Sequence, residues 1–88
     1  MVNYGAVEDV LGRPGWTVAG LVATYRPVGA GWSALVRLAI VSGHTYARWH
    51  IAIVDPNGHA RSTRLVATMG EAINVAEARV RAQDRDAH

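Results

Sequence analysis

The sequence predicts an α+β fold in which a four-stranded antiparallel β-meander carries a C-terminal α-helix on one face. Three features predict it: a proline-containing turn at 55–58, a glycine-containing turn at 42–45 and a helix start signal at Thr68. The 88 residues have the length of one domain. The expected divisions are an N-terminal segment 1–15, a sheet 16–67, a helix 68–83 and a frayed tail 84–88.

The composition excludes several classes of protein. The chain has no cysteine, which excludes a disulfide framework and a thiolate metal site. The beginning of the chain lacks the basic and apolar regions of a signal peptide, and no stretch approaches the roughly 18 apolar residues of a membrane span. We therefore expect a cytoplasmic protein. All nine basic residues are arginine, which indicates a GC-rich genome such as that of an actinobacterium or its phage.

Residues Asp55 to Gly58 predict a hairpin turn. Aspartate suits the first position of a type I turn, Pro56 sets φ at the second, and Gly58 can adopt the left-handed conformation that follows. Asp55 then pairs with His59, and this pairing sets the register of both strands. The predicted partners are Val54 with Ala60, Ile53 with Arg61, Ile51 with Thr63, His50 with Arg64, Trp49 with Leu65 and Arg48 with Val66.

A second hairpin is predicted at Gly43 and His44, because glycine at the first central position suits a two-residue type II′ turn. Its register pairs Val36 with Ile51, Arg37 with His50, Leu38 with Trp49 and Val41 with Tyr46. The two turns agree, since both put the apolar side chains of the central strands on one face. That face is the predicted core, formed by Ala34, Val36, Leu38, Ile40, Trp49, Ile51, Ile53 and Leu65.

The N-terminal part of the chain gives weaker patterns. Asn3 is a good N-cap for a short helix over 4–11 that Gly12 ends, with Val7, Val10 and Leu11 on one side. The stretch 16–25 fits helical spacing as well as a strand. Its Thr, Val and aromatic content favours one strand, with a helix as the alternative.

The helix signal after the sheet is clearer. Thr68 and Glu71 match a capping box, in which each side chain accepts a hydrogen bond from the other residue's backbone N–H. The apolar stripe that follows, which we expect to cover the core face, is formed by Met69, Ala72, Ile73, Ala76 and Val80.

The two registers together place Arg37, His50 and Arg64 in one row on the outer face of the sheet, with Tyr46 and Arg48 nearby. Adjacent like charges are mildly destabilising, so this row favours an anion or a solvated surface. Arginine suits phosphate, and a tyrosine can stack on a base. We therefore predict anion or nucleic-acid binding by these five residues.

The same outer face is too apolar to be simply solvated. Exposed apolar patches of this size mark interfaces, so either the N-terminal helix covers part of the face or two copies pack together, through this face or through edge strands. We expect a homodimer. The predicted dimer or partner interface consists of Trp16, Val18, Val22, Leu35, Val41, Val54 and Val66.

No catalytic or metal motif is visible. The four histidines, His44, His50, His59 and His88, lack metal-ligand spacing, and the carboxylates do not converge. We therefore predict no enzyme activity, no metal and no cofactor. The favoured hypothesis is a small binding module for an anionic partner, with nucleic acid as the preferred candidate. The alternative is a protein-interaction or assembly accessory factor that uses the apolar outer face and binds no nucleic acid.

Overall fold

The computed structural model describes residues 5–40 and 47–86 and confirms the α+β class. One antiparallel sheet contains five strands in sequential order, instead of the predicted four, and a long helix follows it. The elements are a 3₁₀-helix Val7–Val10, strands β1 Trp16–Ala19, β2 Val22–Tyr25, β3 Ser33–Ile40, β4 Ala47–Val54 and β5 Ala60–Val66, and helix α1 Met69–Asp86.

The additional strand arises at Gly20. Residues 16–25 form a hairpin in which Ala19 pairs with Val22. Gly20 has a φ of +61°, in the left-handed region that suits glycine, and it reverses the chain together with Leu21. The prediction of one continuous strand over 16–25 is therefore wrong.

The register between β3 and β4 is as predicted. Val36 pairs with Ile51, Arg37 with His50 and Leu38 with Trp49. The predicted turn between these strands, and the Val41 and Tyr46 pair beside it, lie outside the described residues.

The turn between β4 and β5 is also as predicted. The Asp55 backbone N–H donates to the His59 carbonyl at 2.9 Å, and Gly58 has a φ of +88°. The Asp55 carboxylate accepts the backbone N–H groups of Asn57 and His59, both at 2.9 Å. The His59 hydrogen bond, with that of Asn57, outweighs desolvation and lowers the pKa of Asp55.

A bulge beyond this turn changes the predicted register of β5. Val54 pairs with Ala60 as expected, but Ile53 pairs with Ser62, so Arg61 is an extra residue between the two pairs. Every later pair is shifted by one residue: His50 faces Leu65 and Trp49 faces Val66. Because side chains alternate along a strand, this shift exchanges the two faces of β5. The predicted pairs beyond Val54 and Ala60 are therefore wrong.

Helix α1 begins as predicted. The Thr68 hydroxyl accepts the Glu71 backbone N–H at 3.2 Å. The apolar stripe is buried, and the helix continues to Asp86. Residues 84–86 are thus helical where a frayed tail was predicted, while 87 and 88 lie outside the described residues.

The N-terminal segment forms a single 3₁₀ turn, shorter than the helix predicted over 4–11. Val7 and Val10 are buried in the same core as α1, whereas Leu11 is 66% exposed and does not join them. The Asp9 carboxylate accepts the Ala6 backbone N–H at 3.0 Å. The predicted cap Asn3 lies outside the described residues. Because the 3₁₀-helix packs on the covered side, it does not shield the outer face of the sheet.

Candidate binding face of the sheet

Both helical elements pack on one side of the sheet, and no described element covers the other side. We call this second surface the open face. Strand pairing places fifteen side chains on it: Thr17, Ala19, Val22, Thr24, Ser33, Leu35, Arg37, Ala39, Arg48, His50, Ala52, Val54, Ala60, Thr63 and Leu65.

The charged side chains of the open face are basic. Arg37 pairs with His50 across β3 and β4, and Arg48 follows opposite Ala39. None of the seven acidic residues lies in a strand: two are in the 3₁₀-helix, Asp55 is in a turn and the other four are in α1. The open face therefore presents positive charge with no carboxylate of its own strands.

The open face is also partly apolar. Leu35 is 38% exposed and Leu65 is 50% exposed, while Val22 and Val54 are half-buried. Two of these side chains flank the Arg37 and His50 pair, because Leu65 lies beside His50 and Val22 lies beside Arg37. The face thus combines a small basic centre with apolar contact area.

The predicted anion-binding set is divided by the structure. Arg37, Arg48 and His50 share the open face, whereas Arg64 pairs with Ile51 on the side that α1 covers. The predicted row of Arg37, His50 and Arg64 is therefore wrong, because the bulge reverses β5. Tyr46 lies outside the described residues.

The predicted interface set is divided as well. Val22, Leu35 and Val54 lie on the open face, while Val41 lies outside the described residues. The other three belong to the covered side. Val66 and Trp16 are buried and Val18 packs against the core. The two-residue turn explains the separation of Val18 from Val22, since Val22 pairs with Ala19 and takes the opposite face.

The buried Trp16 forms a hydrogen bond to Glu77 that was not predicted from the sequence. Its indole N–H donates to the Glu77 carboxylate at 2.8 Å, and Arg13 donates to the same carboxylate at 3.1 Å. Burial raises the pKa of Glu77, but these hydrogen bonds and the charges of Arg13 and Arg81 outweigh it and hold the pKa below its ordinary value. Glu77 therefore ties the N-terminal segment to α1.

No known protein family, no curated protein and no solved structure matches this chain. Within residues 5–40 and 47–86, no group of three or more histidine or acidic side chains is placed to hold a metal ion. The described part of the chain also contains no helix long and apolar enough to cross a membrane.

Proposed function

We propose that this chain is a small non-enzymatic binding module whose open face contacts an anionic partner, with nucleic acid as the preferred candidate. One observation carries the proposal: a five-stranded sheet presents Arg37, Arg48 and His50 on a face that no described element covers, and its described strands contain no acidic residue. A homodimeric state and a location in the cytoplasm of a bacterium or an infected host stay predictions.

The chemistry of the face supports this partner. Arginine donates two parallel hydrogen bonds to phosphate, and the surrounding threonine, alanine and valine side chains form a surface against which a sugar or base can pack. Tyr46, predicted as a base-stacking residue, belongs to the same proposal. Phosphate contacts of this kind release counterions, so binding should weaken as salt increases.

Fluorescence anisotropy with labelled single-stranded and duplex oligonucleotides tests the proposal. In a salt titration, Arg37→Ala should weaken binding and reduce the slope of log K against log salt by about 0.7 to 0.9. Arg85→Ala is the matched control, because Arg85 is an exposed arginine in the last turn of α1. Absence of binding at low salt would reject nucleic acid as the partner, and equal effects of the two substitutions would reject the open face as its binding site.

The exposed leucines favour a second candidate function, in which the open face binds a protein or a second copy of this chain. Leu35 and Leu65 lie on the open face with Val22 and Val54, and such a surface resembles an interface more than a solvated sheet. Light scattering over a range of protein concentration tests self-association. A monomer at the highest concentration, together with oligonucleotide binding, would exclude this candidate for the isolated chain.

A further inference from the structure

A small groove lies at the opposite side of the sheet, where edge strand β5 meets α1. Its volume is about 90 Å³, and its lining residues are Ile51, Ile53, Thr63, Arg64, Val75 and Arg79. A water molecule occupies about 30 Å³ of liquid, so the groove has room for a group about as large as three waters. Its floor is apolar, because Ile51 and Ile53 are buried.

Two arginines from different elements line this groove. Arg64 comes from β5 and Arg79 from α1, and neither forms an ion pair among the described residues. The described ion pairs use other arginines: Arg13, Arg61 and Arg81. The lining of the groove contains two positive charges and no carboxylate.

The sequence around Arg79 leaves it without a helical partner. Ion pairs on a helix join residues three or four positions apart. Arg81 has Glu77 at such a position, with the closest N and O atoms 3.9 Å apart, whereas the equivalent neighbours of Arg79 carry no charge. These neighbours are Val75, Ala76, Ala82 and Gln83.

We propose that Arg64 and Arg79 form an oxyanion-binding site that takes a phosphate group. Both arginines are exposed and border the same groove, and each guanidinium offers several N–H donors to phosphate oxygens. The apolar floor excludes water from one side and strengthens these contacts. The phosphate is either a free ion or a phosphodiester of a strand that crosses the β5 edge. The site uses Arg64 on the covered side of β5 and Arg79 on α1, and none of the arginines of the open face.

Titration with inorganic phosphate at low ionic strength, followed by NMR of backbone amides and arginine side chains, tests this site. We expect saturable shifts at Arg64, Arg79 and the adjoining residues of β5 and α1. Arg64→Gln and Arg79→Gln should each weaken phosphate binding by about tenfold, the effect of losing a charge-assisted contact. Arg85→Gln is the control for the loss of one positive charge from the helix surface and should leave the affinity unchanged.

The result that overturns the proposal is either an absence of saturable shifts or an equal weakening by all three substitutions. Thermal unfolding followed by circular dichroism identifies any variant that has lost its fold. If Arg79→Gln does not fold, Arg79→Lys replaces it, because this variant retains the positive charge. It should keep part of the phosphate affinity.

An oligonucleotide arm identifies the source of the phosphate. If the groove binds a nucleic-acid backbone, Arg64→Gln and Arg79→Gln should also weaken oligonucleotide binding and lower its salt slope. If only inorganic phosphate binding weakens, the site is supported as a free-phosphate site. Arg37→Ala distinguishes this site from the open face, because it should leave phosphate binding in the groove unchanged whether or not it alters oligonucleotide binding.

Discussion

The two faces of the sheet come from the same strands but differ in what covers them. On the covered face, Val36, Trp49 and Ile51 are almost completely buried beneath α1 and the 3₁₀-helix. On the open face, Leu35 and Leu65 keep a large part of their surface exposed. Their strands are the same ones that supply the core, so residue type alone does not separate the two faces. The difference shows that the placement of the helical elements decides which apolar side chains stabilise the fold.

This comparison has an energetic consequence. A domain of this size buries only about 60% of its unfolded surface, so its free energy of unfolding is small. The covered face must supply most of that stability, because it carries nearly all of the buried apolar side chains. Substitutions on the two faces should therefore differ in kind: those on the covered face should unfold the protein, and those on the open face should alter what it binds.

The largest expected effect is at Trp49. Trp49→Ala removes the largest fully buried side chain and should lower the free energy of unfolding by about 3 to 5 kcal/mol. Leu35→Ala on the open face is the comparison and should cost less than about 1 kcal/mol. Urea denaturation followed by circular dichroism measures both. Similar losses for the two variants would mean that the open face is also buried in solution.

A smaller effect tests the bulge. Val66 is 4% exposed and its neighbour Leu65 is 50% exposed. Val66→Ala should lower the free energy of unfolding by about 2 kcal/mol, because two buried methyl groups are lost. Leu65→Ala should lower it by less than about 1 kcal/mol. The register predicted from the turn alone requires the opposite order. Urea midpoints of the two variants would thus decide which face of β5 lies against the helix.

The next effect concerns Glu77, which ties the N-terminal segment to the covered face. Glu77→Gln should lower the free energy of unfolding by about 1 kcal/mol at neutral pH, since the neutral amide keeps a contact to Trp16 but loses the charge facing Arg13. The pKa of Glu77 is lowered in the folded state, so its stabilisation is present above the ordinary value of 4.5 and is lost as pH falls through the lower folded value.

The difference between wild type and Glu77→Gln should accordingly shrink below pH 4.5. Urea titrations from neutral pH downward measure it. The comparison with Glu77→Gln is needed because Asp55 also has a lowered pKa, so the wild type loses stability in acid through Asp55 as well. Glu8→Gln, at an exposed carboxylate, is the control. A difference that stays constant with pH would contradict the assigned contacts.

The smallest expected effect on stability is at Leu35. Leu35→Ser should change the free energy of unfolding by about 0.5 kcal/mol or less, because the side chain contacts solvent in the isolated chain. If the open face binds a second copy, the same substitution should convert a dimer to a monomer in sedimentation equilibrium. Thr24→Ser on the same face is a conservative control. A large loss of stability without any change in association would show that Leu35 belongs to the core.

Local chemistry predicted the features that depend on a few adjacent residues. The turn at Asp55 to Gly58 follows from the conformations that Asp, Pro and Gly favour, and the hydroxyl of Thr68 caps the helix as its spacing to Glu71 indicates. The register of β3 and β4 was also predicted, from the two-residue turn that Gly43 and His44 indicate.

The same reasoning failed where two arrangements have nearly equal local merit. In β5, Leu65 and Val66 are adjacent apolar residues, so either one can face the core and the sequence pattern does not reveal the extra residue Arg61. In the first hairpin, apolar residues flank Gly20 on both sides, and the glycine was the one signal of a turn. Both errors moved predicted site residues to the other face.

The candidate sites show the same division. Arg37 and His50 lie together as predicted, because the register inferred from Gly43 and His44 pairs them. Arg79 was not predicted as a site residue, because its position beside the same groove as Arg64 depends on both the bulge and the packing of α1 on β5. No spacing in the sequence relates a strand residue to a helix residue in this way.

The sequence by itself determined the α+β class, the Asp55 turn, the start of α1 and the alternating core of the central strands, because each depends on neighbouring residues or on a periodic pattern. Only the tertiary structure decided which side chains of β2 and β5 lie on each face, and therefore which arginines share a surface. The physical reason is that alternation divides a strand into two sides, whereas the total burial of the folded chain selects the side that becomes the core.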